Sequence, residues 1–138
     1  MLAIKTLTSR TAKGATLIFD EVDAGIGGHT ADVVGRRLQG LAADAQVLCI
    51  THLPQIAAAA DQHYRIAKAV RGQRTVTEVQ RLDGEGRRLE LARMIAGQSV
   101  TDRVLASADE MLVDRKRAKG ESKPKGESES RKAKGRST

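Results

Sequence analysis

Aromatic residues are almost absent from this chain of 138 residues, which holds one Phe, one Tyr and no Trp. The aromatic platforms on which many proteins stack single-stranded nucleic acids are therefore excluded. A single cysteine excludes an internal disulfide framework and a cysteine-rich zinc site. No apolar run approaches the ~20 residues of a membrane span, and the first residues lack the layout of a signal peptide. We therefore expect a cytoplasmic protein, with no membrane partner and a core of aliphatic side chains.

Positive charge is concentrated in the last part of the chain. The formal net charge is +7, and residues 114–138 hold ten Lys or Arg against four Asp or Glu. From residue 115 onwards there is no Val, Ile, Leu, Met or aromatic residue, so little apolar surface can offset the entropy of ordering. We predict a folded domain over 1–113 and a disordered basic tail over 114–138. The tail either keeps the protein in solution or holds nucleic acid through its phosphates.

The first 113 residues have the pattern of an α/β fold. Short apolar runs at 15–20 and 46–51 predict parallel strands that are buried on both faces. Between them, apolar residues recur at helical spacing over 30–42, and Thr30 is the expected N-cap. The remaining segments are predicted to be helical at 1–8, 54–60, 86–96 and 102–113, with a hairpin formed by 63–70 and 74–81. Solvated helical faces are expected to carry Arg36, Arg37, Arg87 and Arg88.

Two adjacent acids end the first predicted strand, at the edge where open α/β sheets bind ligands. Asp20 and Glu21 would point to opposite sides of a strand, so we expect different roles for them. One carboxylate can orient Mg²⁺ with its waters, while the other faces a substrate water as base or positioning group. A strand-end acid on Mg²⁺ is the Walker B arrangement of nucleotide hydrolases. The alternative is a strand that ends in solvated acids without further function.

The segments after both strands complete the candidate site. Asp23 and the glycines at 25, 27 and 28 predict a flexible turn directly after the acids. His52 follows the second strand, one helix later, and can therefore reach the same pocket. As a hydrogen-bond donor it can contact a terminal phosphate. A histidine that is merely polar surface at a strand end is the alternative.

Residues 16–28, together with 49–55, resemble the C-terminal part of the RecN family, which belongs to the SMC-like branch of the ABC ATPases. The resemblance extends over about residues 1–113 and includes the segment 89–94. It implies an α/β fold, namely the C-terminal part of a P-loop ATPase head of the ABC or SMC type, with parallel strands, a β-hairpin and terminal helices. It also implies a role in the recombinational repair of DNA double-strand breaks, close to the nucleoid.

The resemblance assigns a role to each residue of the candidate site. It makes Asp20 the Walker B acid that holds Mg²⁺ through water, and Glu21 the residue that activates the attacking water. It places Asp23 and Gly25 in the D-loop, which crosses to a second ATPase head of a homodimer. It makes His52 the switch histidine that senses the γ-phosphate. The implied cofactors are ATP and Mg²⁺, and the implied partners are DNA, the second head and the missing N-terminal half of the head.

Other motifs of such a head are missing. A phosphate-binding loop needs the sequence G-x-x-x-x-G-K-[ST], and the chain contains no Gly-Lys pair. The signature motif and the heptad repeats of coiled-coil arms are also absent. We therefore expect the chain to be part of a longer protein, or the product of a truncated or internally started reading frame. Alone it should show no ATPase activity, because backbone amides and the lysine of the missing loop hold the nucleotide.

Two further functions remain open from the sequence. The chain can be a binding module without catalysis, in which a small α/β body carries a basic arm for nucleic acid. It can also belong to a different P-loop family with a similar Walker B strand.

Overall fold

The computed structural model describes residues 14–121. The helix predicted within 1–8 and residues 122–138 of the predicted tail lie outside this range. In the described part, no helix is long and apolar enough to cross a membrane.

The first half of the described chain is a βαβ unit. Strand β1 (Thr16–Phe19) and strand β2 (Gln46–Cys49) are parallel and are connected through helix α1 (Gly28–Leu41). Their register pairs Thr16 with Gln46 and Phe19 with Cys49, so both strands end at the same edge. The predicted strand–helix–strand order is confirmed.

Helix α1 begins earlier than its sequence pattern predicts. Gly27 is the N-cap, in an extended conformation with φ −166°, and the helix starts at Gly28. The prediction of Thr30 as the N-cap is therefore wrong. Thr30 already lies in the first helical turn, because the preceding glycines supply the change of backbone direction.

The second half contains one hairpin and three helices. In chain order they are α2 (Pro54–Ala59), β3 (Tyr64–Arg71), β4 (Arg74–Arg81), α3 (Gly84–Ala96) and α4 (Asp102–Glu121). Strands β3 and β4 are antiparallel, and the turn between them contains Gly72 with φ 64°. Helix α3 is capped by Asp83, whose side chain accepts a hydrogen bond from the Gly86 N–H at 2.7 Å.

Helix α4 continues past the expected end of the folded domain. It runs through Glu121, so the prediction of disorder from 114 onwards is wrong for residues 114–121. The reason is Arg115, whose side chain is only 15% exposed and bonds with residues 59 and 61. One long side chain thus anchors residues 114–121, which contain no Val, Ile, Leu, Met or aromatic residue.

The β1–β2 sheet is covered on one face only. The side chains of Leu17 and Phe19 pack towards the helices, whereas Ile18 is 61% exposed and Leu48 is 48% exposed. The prediction of strands buried on both faces is therefore wrong within the described residues. Helices from this part of the chain cover a single face, and β1 and β2 pair with no further described strand.

Helix α2 connects two clusters of buried side chains. Ile56 belongs to the first cluster, with Phe19, Ala31, Leu38 and Leu41. Its neighbours Ala57 and Ala58 belong to the second cluster, with Leu91, Ala92 and Ala108. The short helix therefore packs against the βαβ unit on one side and against α3 and α4 on the other.

Candidate functional site

The ends of β1 and β2 place the predicted site residues along one edge of the sheet. The Ile50 N–H donates to the Phe19 carbonyl at 2.9 Å, so the parallel pairing continues to the last residue of β1. Asp20 follows Phe19 directly, and His52 comes two residues after Ile50. The chain order had predicted that the acids and the histidine share this edge, and the strand register agrees.

Asp23 is the centre of the polar contacts at this edge. It is 5% exposed, and its Oδ2 atom accepts from the Thr51 hydroxyl at 2.6 Å and from the His52 N–H at 2.9 Å. The same oxygen lies 3.0 Å from Nδ1 of His52, whose side chain is 77% exposed. The turn after β1 and the turn after β2 are therefore joined through one carboxylate oxygen, which leaves most of the imidazole accessible.

Thr51 completes the connection. Its hydroxyl donates to Asp23 and accepts from the Leu53 N–H at 3.0 Å, directly before α2. Thr51 lies in the segment 49–55 that carries the resemblance, but the sequence pattern predicts no role for it. The signal that could have identified this turn is a threonine just before the predicted helix, because threonine hydroxyls often accept from the backbone N–H two residues later.

The hydrogen bonds to Asp23 determine its protonation. Burial alone would raise the pKa of the Asp23 carboxyl, but the donors from Thr51 and His52 outweigh it and hold the pKa below its ordinary value. Asp23 is therefore a carboxylate at neutral pH, and its charge faces the Nδ1 side of the His52 ring.

Asp20 and Glu21 are both exposed, beside this connection. Glu21 has φ 53°, which is the left-handed region that residues other than glycine rarely adopt. Its carbonyl accepts from the Ala24 N–H at 3.3 Å, which closes a turn directly after Asp20. The left-handed backbone costs roughly 1–2 kcal/mol and is typical of functional sites.

Gly25 occupies a position that suits glycine. Its φ is 75°, and the Ile26 N–H donates to the Asp23 carbonyl at 3.2 Å across it. A β-carbon at Gly25 would meet nothing within 4 Å, so backbone conformation and not crowding favours glycine here. The predicted turn after the acids is therefore present.

The described edge of the sheet offers few protein ligands for the Mg²⁺ that the sequence predicts. Within residues 14–121 no group of three or more His, Cys, Asp or Glu side chains could hold a metal ion. Mg²⁺ on a nucleotide usually takes only one or two carboxylates and completes its shell with water and phosphate oxygens. The exposed carboxylate of Asp20 is compatible with that mode, whereas Oδ2 of Asp23 already accepts two hydrogen bonds and lies 3.0 Å from Nδ1 of His52.

Cys49 contributes no reactive group to the edge. Burial raises the pKa of its thiol to about 11, and the charges of Asp23 and Asp20 add to this effect. The thiol is therefore protonated at neutral pH, whereas nucleophilic attack and metal binding need the thiolate.

Two arginines at the C-terminal end of α2, the end opposite to His52, differ from their predicted environment. Arg87, expected on a solvated face, is 8% exposed and donates to carbonyls at the C-terminal end of α2. Arg115, expected in the tail, donates to the Ala59 carbonyl of the same helix. The expectation for Arg88 is also incomplete, because its side chain pairs with Asp109 at 2.8 Å.

Many curated proteins are similar in sequence to this chain. A stretch of 112 residues, which is 81% of this chain, is 45% identical to the DNA repair protein RecN of Vibrio cholerae serotype O1. Over 112 residues the chain is also 48% identical to RecN of Treponema pallidum and 45% identical to RecN of Bacillus subtilis strain 168. The matched region is their C-terminal portion. In sequence, this chain is similar to the C-terminal portion of RecN. The resemblance found in the sequence is therefore confirmed.

The chain spans about a fifth of the length of the RecN proteins that it matches. Its fold is similar to a solved structure from work on the ATP-driven dimerization and DNA-stimulated activation of SMC ATPases, with a TM-score of 0.54 and 21% identity. That similarity covers 71% of this chain and 58% of the other. The predicted fold class, an α/β fold of the SMC-head type with parallel strands and a β-hairpin, is confirmed. No family model matches the chain.

Proposed function

We propose that this chain supplies one half of an ATP site in a RecN-type ATPase that acts in the repair of DNA double-strand breaks by recombination. It would provide the Walker B acid, the D-loop and the switch histidine. The remaining part of the head would provide the phosphate-binding loop. The RecN relatives are named DNA repair proteins, and the similar SMC structure concerns ATP-driven dimerization, which supports this proposal.

One observation carries the proposal. The buried carboxylate of Asp23 joins the turn after β1 to the turn after β2, so that the exposed acids and the exposed His52 ring lie along one sheet edge. A strand that merely ended in solvated acids would not need a buried carboxylate bonded to the neighbouring strand's histidine. Ligands of open α/β sheets bind at this edge.

Each residue then has a distinct task. Asp20 would hold Mg²⁺ through water, and Glu21 would accept a proton from the attacking water or orient it. His52 would donate to the terminal phosphate through its exposed Nε2 when both ring nitrogens carry protons, while its Nδ1 faces Asp23. The D-loop of Asp23 and Gly25 would lie against a second head. Bound ATP would supply the phosphoanhydride bond, and its Mg²⁺ would neutralise the charge that develops on the phosphates.

The complete protein would have two identical heads that ATP brings together and hydrolysis releases, with DNA as the partner. The chain alone should not turn over ATP, because Asp20 and Glu21 cannot replace the backbone amides and lysine of a phosphate-binding loop. The basic residues beyond α4 are compatible with contacts to DNA phosphates.

The substitution Glu21→Gln in the complete RecN protein tests the proposal. Glutamine keeps the size of the side chain but cannot accept the proton, so ATP turnover should fall by about 10²–10⁴-fold. Binding of a fluorescent ATP analogue should stay within about twofold of wild type, since the carboxylate that is removed is not the metal-holding one.

Glu110→Gln is the matched control, because Glu110 is an exposed glutamate on α4, away from the sheet edge. It should leave both turnover and binding unchanged. Unchanged turnover in Glu21→Gln would show that the role given to Glu21 is wrong.

A further inference from the structure

Helix α2 is held at its C-terminal end by two guanidinium groups. Arg87 and Arg115 donate to five consecutive backbone carbonyls, those of residues 57–61. The shortest of these bonds joins Nη2 of Arg87 to the Ala60 carbonyl at 2.8 Å. Arg115 also pairs with the Asp61 carboxylate. The last carbonyls of a helix have no partner within the helix, so these bonds complete its C-terminal end.

The position of Arg87 has a cost that a simple end-cap would avoid. Its guanidinium is buried, and its hydrogen-bond partners are backbone carbonyls and not carboxylates. Burial lowers the pKa of Arg87, and the charge of Arg115 adds to that effect. Helices commonly end with a glycine, which needs no buried charge. The cation is favourable here because the negative end of the helix dipole and the converging carbonyls replace its lost hydration.

The other end of α2 adjoins the candidate site. His52 lies two residues before Pro54, the first residue of the helix, and both His52 and Thr51 are bonded to Asp23. The helix has only six residues and packs closely on α1, where a β-carbon at Gly35 would lie 3.1 Å from the Gln55 carbonyl. A displacement at the C-terminal end therefore shifts the whole helix, including the turn that carries His52.

We propose that Arg87, together with Arg115, is a positioning residue for His52. By holding the C-terminal end of α2, the two arginines set the distance at which Nδ1 of His52 meets Asp23, and thus the direction in which Nε2 faces. The role in catalysis rests on the proposed function, but the geometric coupling does not. Through this coupling, helices α3 and α4 would control the alignment of the switch histidine.

The ¹⁵N NMR signals of the imidazole rings test the coupling in the 138-residue chain, without nucleotide. In wild type, the singly protonated His52 ring should carry its proton on Nδ1, since that atom lies 3.0 Å from the Asp23 carboxylate. Arg87→Met keeps the apolar stem but removes the donors, so the His52 signals should move towards the mixed tautomers of a free histidine. Arg87→Lys, which restores a charged donor, should give an intermediate result.

The controls separate this coupling from general loosening. Arg88→Met removes the same charge from the next residue of α3, where Arg88 pairs with Asp109 and Glu85, and should leave His52 unchanged. The signals of His29, which lies in α1, should be the same in every folded variant. Asp23→Asn removes the charged acceptor and should change the His52 signals in any case, which shows that the measurement reports this contact.

Arg115→Met provides a second variant if Arg87→Met fails to fold, because Arg115 is less buried and makes fewer contacts with α2. It should move the His52 signals in the same direction by a smaller amount. The proposal would be overturned if the folded arginine variants kept the wild-type His52 signals while Asp23→Asn changed them.

The complete RecN protein gives the catalytic readout. Arg87→Met should lower ATP turnover by about 10–10²-fold with nucleotide binding unchanged, as expected for a misplaced catalytic group. If the complete wild-type protein turns over no ATP, the proposed function fails, whereas the NMR result in the 138-residue chain still decides the coupling.

Discussion

At the scale of single residues, one oxygen of Asp23 does most to organise the candidate site. It accepts hydrogen bonds from the Thr51 hydroxyl and the His52 N–H and lies 3.0 Å from Nδ1 of His52, so three contacts between two turns depend on one atom. The contacts are strong because the acceptor is charged and buried, where hydrogen bonds are weakened little by water. Truncating this side chain should therefore affect both the stability of the fold and the orientation of the histidine.

Asp23→Ala should lower the free energy of unfolding by about 1–3 kcal/mol at neutral pH, because it leaves the donors of Thr51 and His52 without their acceptor. The folded-state pKa of Asp23 is below its ordinary value of 3.8. The stabilisation is therefore fully present above that value and is lost as the pH falls through the folded-state pKa. Urea unfolding of the 138-residue chain at neutral and at acidic pH measures both effects.

Asp44→Ala serves as the control for this prediction, because Asp44 is exposed after α1 and should change stability little at either pH. The wild type will lose further stability in acid through Glu90, whose pKa is lowered by hydrogen bonds from Arg93. Because Glu90 is present in both proteins, its contribution cancels in the difference between the unfolding free energies of wild type and Asp23→Ala. A difference that grows as the pH falls below 3.8 would contradict the prediction.

The sequence predicted the site where local pattern determines position, and failed where it does not. Asp20 and His52 each follow an apolar run, and parallel strands bring the ends of such runs together. Nothing local shows that Arg87 contacts residues 26–30 positions earlier, or that Arg115 contacts a carbonyl 56 positions earlier. Their environment depends on how α3 and α4 pack on α2, which the spacing of apolar residues does not specify.

At the scale of secondary-structure elements, the apolar periodicity predicted the order of strands and helices, but the ends of the elements were determined by other contacts. Helix α1 starts at Gly28 because the glycines change the backbone direction before Thr30. Helix α4 continues to Glu121 because Arg115 finds partners on α2. Both differences arise from single contacts or dihedral angles rather than from composition.

The close packing of α1 on α2 can be tested by alanine substitutions at two glycines of α1, Gly35 and Gly40. Gly35→Ala would place a β-carbon 3.1 Å from the Gln55 carbonyl and 3.2 Å from the Ala59 β-carbon. Because α2 is held at both ends it cannot easily move away, and we expect a loss of about 1–2 kcal/mol in the free energy of unfolding. The urea midpoint of the 138-residue chain measures this change.

Gly40→Ala in the same helix meets nothing within 4 Å. It should raise the free energy of unfolding by about 0.5–1 kcal/mol, the ordinary gain from replacing a helical glycine. A loss of unfolding free energy in Gly35→Ala together with a gain in Gly40→Ala would support a close contact between α1 and α2. Stabilisation at both would show that α2 moves freely, which would also weaken the coupling proposed for Arg87.

At the scale of the whole molecule, the described residues form a sheet with one apolar face uncovered. Ile18, Leu48 and Ile50 are 61%, 48% and 55% exposed, although parallel sheets are normally covered on both faces. The apolar runs correctly predicted strands, but whether a strand is covered depends on which other segments pack on it. The spacing of apolar residues within β1 and β2 does not specify those segments.

Replacing Ile18 and Leu48 together by Thr should reduce the binding of a hydrophobic dye and the self-association of the 138-residue chain, because it removes exposed apolar surface. Its free energy of unfolding should change by no more than about 0.5 kcal/mol per site, since these side chains lose little burial. Phe19→Ala is the control on the opposite face of β1, where Phe19 is 4% exposed, and should cost about 3–5 kcal/mol. If the double Thr variant bound dye and scattered light as the wild type does, the prediction would be wrong. The face of Ile18 and Leu48 would then be covered in solution.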